Sequence, residues 1–201
     1  MNIFSSGYFD AYNKLKPITE SLEKSISLES FEHYVQFSKG KDKTTVFISH
    51  KHDDLKDLHG FINFLEKEYN IDAYTDGNDS SMPKVTSKET AERIRKIIKK
   101  CSKFILLATN KAVESNWCNW ELGFGDAYKF PDSIAILPMN DKFKSESDYK
   151  GKEYMELYPT IVHYNGTEKY SDYSPIEEGY YVRTKNSTGY TITKLESWLN
   201  K

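Results

Sequence analysis

Phe104-Ile105-Leu106-Leu107-Ala108 is the stretch that most restricts how this chain can fold. Five consecutive apolar residues leave no side for water, so a strand built from them must be covered on both faces, as strands of parallel sheets are. Parallel strands need long crossover connections, usually helices, and the flanking sequence supplies them. Thr44-Thr45-Val46-Phe47-Ile48-Ser49 is a second buried-type run. Asp53 or Asp54 can cap a following helix, in which Leu55, Leu58, Ile62, Leu65 and Tyr69 recur at helical spacing. Residues 71–76 read as a short strand and 77–83 as a loop by composition. Thr86-Ser87-Lys88-Glu89 fits a capping box opening a helix with Ala91, Ile94, Ile97 and Ile98 on one side. Residues 133–138 and 160–164 complete five strands, and Thr193-Lys194-Leu195-Glu196 is a second capping box before a last short helix. This alternation predicts an α/β, flavodoxin-like, doubly wound five-stranded parallel sheet.

Residues 1–42 differ in pattern. Tyr8, Tyr12, Leu15, Ile18, Leu22 and Ile26 are spaced as in helices, and the stretch ends in a polar linker. The expected organisation is an N-terminal helical extension and linker, 1–42, followed by the main domain, 43–201. Within the main domain a Tyr-rich insertion lies around 140–190. Its part from 165 to 190 is expected to add a hairpin or a loop over the site.

Hydrophobic residues make up 38% of the 201, enough for a packed core. A net charge of -2 gives no electrostatic footprint for nucleic acid or an anionic membrane. Cys101 and Cys118 form no CxxC, so neither a disulfide framework nor a zinc site is expected, and no metal is assigned. The N-terminus lacks the pattern of a secretory signal, and no apolar run approaches the ~20 residues of a membrane span. A reduced cytoplasm is the expected location.

Glu121 is the residue that does not fit a plain core. It lies in Ser115-Asn116-Trp117-Cys118-Asn119-Trp120-Glu121-Leu122-Gly123-Phe124-Gly125, which reads as a helix. At ~100° per residue, its neighbours on the helix surface are Trp117, Cys118, Phe124, Gly125 and Tyr128, none of them charged. An ionised carboxylate on that face is costly unless a cation pairs with it. Ligands of open α/β sheets bind beyond the carboxyl ends of the strands, where the strand order reverses. For the order 2-1-3-4-5 the first strand brings Ser49, His50 and Lys51 to that point, the second brings Tyr74 and Asp76, and the helix after the third brings Trp117 and Glu121. A bland reading stands beside each: Glu121 as a core-edge acid paired to a cation, Trp117, Trp120 and Tyr74 as packing, His50 as a partner of Asp53.

Val46-Phe47-Ile48-Ser49-His50 resembles the first box of the Toll/interleukin receptor (TIR) domain. Tyr74-Thr75-Asp76, the loop after it and Lys88-Glu89 through Ile98 resemble its second strand, BB loop and second helix. Ser115-Asn116-Trp117-Cys118-Asn119-Trp120-Glu121 resembles its Trp-x-x-x-Glu motif. The similarity covers about residues 43–140 and the final strand and helix. It implies a TIR fold, with Glu121 as the essential residue of an enzyme that cleaves NAD at the nicotinamide–ribose bond. The products would be nicotinamide with ADP-ribose or a cyclic ADP-ribose-type signal, as in bacterial anti-phage, Thoeris-like systems. NAD is then substrate and no cofactor is implied. The resemblance also implies self-association through TIR surfaces including loop 77–84, and the domain content leads to the expectation of a separately encoded effector.

Nicotinamide leaves NAD as a neutral base, so no acid need protonate it and one carboxylate can replace the usual glycosidase pair. That carboxylate stabilises an oxocarbenium-like ribosyl cation. Trp117 and Tyr74 are candidates to stack on substrate rings, and Ser49, His50, Lys51 and Asp76 to contact ribose or phosphates. Two rivals remain open: a non-enzymatic TIR interaction module, and a nucleoside deoxyribosyltransferase-like enzyme with its own ribosyl-attacking Glu.

Overall fold

Alternation along the strands sorts the apolar side chains onto two sheet faces, and each face has its own helices. The computed structural model describes residues 3–14, 43–75 and 88–201. The elements are β1 (Phe4–Ser5), β2 (Thr45–Ser49), α1 (Leu55–Tyr69), β3 (Asp72–Tyr74), α2 (Lys88–Lys100), β4 (Lys103–Thr109), α3 (Asn110–Val113), α4 (Asn116–Lys129), β5 (Ile134–Asn140), α5 (Lys152–Leu157), β6 (Thr160–Tyr164), β7 (Gly179–Asn186), β8 (Gly189–Lys194) and α6 (Leu195–Leu199). One sheet runs in the order β3-β2-β4-β5-β6-β7-β8, with β1 beside β5. The strands from β3 to β6 pair in parallel, which is the 2-1-3-4-5 order. Val46, Ile48, Ile105 and Leu107 pack with Leu58, Phe61 and Ile62 of α1 and with Trp198 and Leu199 of α6. Phe47, Phe104, Leu106 and Ile136 pack with Ile94 and Ile98 of α2 and with Cys118 and Leu122 of α4. Coverage of both faces is what the all-apolar run 104–108 requires.

The sheet is wider than the five parallel strands expected. β7 pairs antiparallel with β6, and β8 with β7. The Tyr-rich segment therefore does form a hairpin, but as an extension of the sheet beyond β6. It does not lie over the rim of β2 and β4. Tyr180 turns instead toward the N-terminus, with its ring stacked 6.4 Å from that of Phe4 and tilted against that of Phe64 at 4.6 Å. The capping box expected at 193–196 does not form: Thr193 lies within β8 opposite Val182, and α6 starts after Lys194 without a side-chain cap.

The start of the chain also differs from a helical extension. Phe4 and Ser5 pair with Met139 and Asn140, beside the end of β5, while β6 meets β5 at Ile136. Ser6 Oγ and Gly7 N donate to the Asp57 carboxylate of α1 at 2.7 and 2.6 Å. Phe9, 1% exposed, lies so close to α1 that a Cβ on Gly60 would sit 2.9 Å from its carbonyl oxygen. Helical spacing in a short aromatic segment is a weak signal against packing of this kind. The helices expected across 15–42, the loop 77–84 and the start of the capping box at 86–89 lie outside the described residues.

Candidate functional site

Two helix starts sit at the carboxyl rim of β4. Thr109 ends the strand and caps α3, its Oγ1 accepting from Ala112 N at 3.0 Å. Ser115 then caps α4, its Oγ accepting from Cys118 N at 3.4 Å. Ser, Thr, Asn and Asp are favoured at this position because a side-chain oxygen satisfies an amide that the helix leaves unpaired. α4 lies hard against the sheet: a Cβ at Gly125 would be 2.9 Å from the Phe104 ring. This close approach buries the stripe Cys118, Glu121, Leu122 and Gly125.

Glu121 is 0% exposed, and so is Ser49 at the end of β2. Ser49 Oγ donates to Glu121 Oε2 at 2.5 Å. His50 is also buried, and its carbonyl accepts the Cys118 thiol at 3.2 Å. Two bonds thus tie the end of β2 to one turn of α4. A carboxylate at such depth is tolerated because hydrogen-bond donors replace part of the water it loses. The arrangement can hold one carboxylate oxygen fixed beside the strand-order switch.

The other expected site residues fall at different distances from this pair. Tyr74 ends β3 opposite Phe47 and is buried in the same cluster as Phe47 and Cys118. Trp117 is half-buried, with its ring stacked on Trp120 at 4.7 Å and 24°. The stack continues to Phe124 and Tyr128, and Arg95 of α2 lies over Trp120 at 5.1 Å. Lys51 is half-exposed at the rim, where it precedes the short helical turn His52–Asp54. Asp76 lies outside the described residues.

Asp54 departs from its expected role as a helix cap. Its side chain makes no cap hydrogen bond and accepts instead from Thr109 Oγ1 at 2.5 Å. Burial pushes its carboxyl upward, against the Thr109 hydroxyl, Lys111 and His50, which draw it down. With Asp53, Asp57, Lys111 and Asn140 it lines a polar cavity of about 210 Å³. By strand alternation Thr109 and Met139 face the α1 side of the sheet and Ser49 the α4 side, so this cavity opens away from Glu121. Sequence reading missed it because Asp53, Asp54 and Asp57 look like ordinary first-turn acids. Among the described residues, no group of three His, Cys, Asp or Glu could hold a metal ion, and no helix is long and apolar enough to cross a membrane.

Residues 47–142 match the family model described as the TIR-like domain of Thoeris protein ThsB. No curated protein matches the chain.

Proposed function

We propose that this protein, whose residues 47–142 are similar to the TIR-like domain of Thoeris protein ThsB, cleaves the nicotinamide–ribose bond of NAD+ with Glu121 as the catalytic carboxylate. The observation that carries the reading is the 2.5 Å bond from Ser49 to Glu121 in full burial beside the strand-order switch. A buried acid with a built donor is expensive to keep for packing alone. In the reaction the electrons of the ribose–nitrogen bond pass to the pyridinium nitrogen, and nicotinamide departs neutral. The ribosyl cation left behind is stabilised by the carboxylate. It is then captured by water, giving ADP-ribose and a proton, or by a nucleophile of the same nucleotide, giving a cyclic product. In the second case a separately encoded effector reads the signal in anti-phage defence. Trp117, Tyr74, His50, Lys51 and Asp76 are proposed to contact the nucleotide, and self-association through surfaces including loop 77–84 belongs to the same reading.

One observation favours the competing reading, a non-enzymatic interaction module. With 0% exposure Glu121 touches no solvent, so catalysis requires a conformation in which it is uncovered. Nicotinamide release, followed for the wild type and Glu121→Gln in dilute and in crowded solution, separates the two. The enzyme reading expects release by the wild type and a loss of about 10²–10³-fold or more in the variant, the scale of removing a main transition-state stabiliser. Equal release by both would assign the chemistry elsewhere. Release by neither, with folding intact, supports the module.

A further inference from the structure

The two edges of the sheet are built differently. At one edge β3 has three residues, and Asp72 is ion-paired to Lys43 at 3.2 Å. Short strands and charges of this kind protect an edge from pairing. At the other edge β8 has six residues, Gly189-Tyr190-Thr191-Ile192-Thr193-Lys194, and all but Ile192 are exposed. It carries no proline, and its pairing with β7 is continuous from Gly189 to Lys194 without a bulge. Its centre, Thr-Ile-Thr, is uncharged and of high strand propensity. Among the described residues its one protective charge, Lys194, lies at the end of the strand and is ion-paired to Glu177.

We propose that β8 pairs antiparallel with β8 of a second copy of this chain, joining two sheets edge to edge. The hairpin geometry sets the register. Its two-residue loop is closed by the pair Asn186–Gly189. Closing pairs of such loops are hydrogen-bonded, and bonded and non-bonded pairs then alternate. Gly189, Thr191 and Thr193 therefore spend their backbone groups on β7. Tyr190, Ile192 and Lys194 direct theirs outward. A two-fold axis through Ile192 sets these outward residues against each other: Ile192 opposite its copy, and Tyr190 opposite Lys194 at both ends. This yields about four backbone hydrogen bonds, since the Lys194 carbonyl already serves the start of α6.

The charges suit this pairing. Arg183 lies over the Tyr190 ring at 4.7 Å, and Lys194 is ion-paired to Glu177 at 2.6 Å. The two-fold brings the Arg183–Tyr190 pair of one copy beside the Lys194–Glu177 pair of the other. Each cation then meets a ring or a carboxylate across the seam, and the two Lys194 lie at opposite ends. No like charges are placed opposite each other, the arrangement that would cost stability. The contact is isologous and closes as a dimer without propagating. A seam of five residues per copy, Tyr190 to Lys194, is below the roughly 1,200 Å² of stable interfaces, so the dimer is weak and reversible. β7, β6, β5 and β4 separate it from β2 and Glu121, and the seam leaves the rim open.

Sedimentation velocity of the full chain, from micromolar to millimolar concentration, tests the pairing. The wild type is expected to pass reversibly from monomer to dimer. Thr191 and Thr193 are exposed, and in this register each faces the other across the seam. Thr191→Glu/Thr193→Glu and Thr191→Lys/Thr193→Lys should each dimerise far more weakly than the wild type through like-charge repulsion. An equimolar mixture of the two should dimerise again. The mixture is its own control for folding. A wild type monomeric throughout, dimerisation undiminished in either double variant, or a mixture that dimerises no better than its parts would each overturn the pairing. None of these outcomes depends on NAD cleavage.

Discussion

Ser49 shows how a residue's identity and its role part company. As the last residue of β2 it reads as a group offered to substrate, yet its hydroxyl is spent on Glu121 at 2.5 Å. Ser49→Ala removes the donor and leaves a buried carboxylate oxygen short of one partner, a loss worth about 1–3 kcal/mol. In the proposed enzyme that loss appears as a kcat lower by about tenfold or more with KM little changed, because the hydroxyl orients Glu121 without touching nucleotide. A rise in KM alone would return Ser49 to direct substrate contact. Glu121 itself was legible, because an acid amid Trp117, Cys118 and Gly125 at helical spacing is a local anomaly. The bond it accepts was not: the strand order brings Ser49 to the same rim, but which side chains pair across 72 positions is fixed only by tertiary packing. Asp54 escaped for the same reason, since its bond to Thr109 spans 55 positions.

At the scale of elements, α4 is held by what Gly125 lacks. Its Cα passes so near Phe104 that an added methyl would fall 2.9 Å from the ring. Gly125→Ala should push α4 off β4 and destabilise the fold by about 1–3 kcal/mol despite the better helix propensity of Ala. Thermal unfolding checks this, and a stabilised variant would refute the close-packing account. α1 and the helical part of α2 were legible from spacing because a 3.6-residue period is written in consecutive residues. The segment that forms β7 and β8 was legible only as a hairpin or a loop, and not in its place. Tyr- and Gly-rich composition identifies a turn-forming segment, while the choice of β6 as neighbour is made by pairing.

At the scale of the molecule, the amino-terminal end of the sheet carries a pH dependence. Glu66 of α1 is pushed up to about 7, first by burial and then by the charge of Asp72, with Lys43 opposing. An acid with a folded-state pKa above its unfolded value stabilises the fold while protonated. Its contribution is whole below about 4.5, falls as pH rises, and is lost above about 7. Discounted for its partial exposure, the effect is about 1–2 kcal/mol. Glu66→Gln should therefore equal the wild type near pH 4.5 and exceed it by that amount at pH 8 in denaturant titrations. A difference independent of pH would count against the assignment. The parallel α/β sheet was determined by the sequence itself, because apolar runs and periodic helices are local properties and sheet topology follows from few rules. Only the tertiary structure decided that Phe4–Ser5 joins β5, that Ser49 holds Glu121, and that the sheet continues to an open edge at β8. Those outcomes depend on close approach between distant segments, at Gly60 and Gly125 above all, and on backbone pairing that is blind to side-chain pattern.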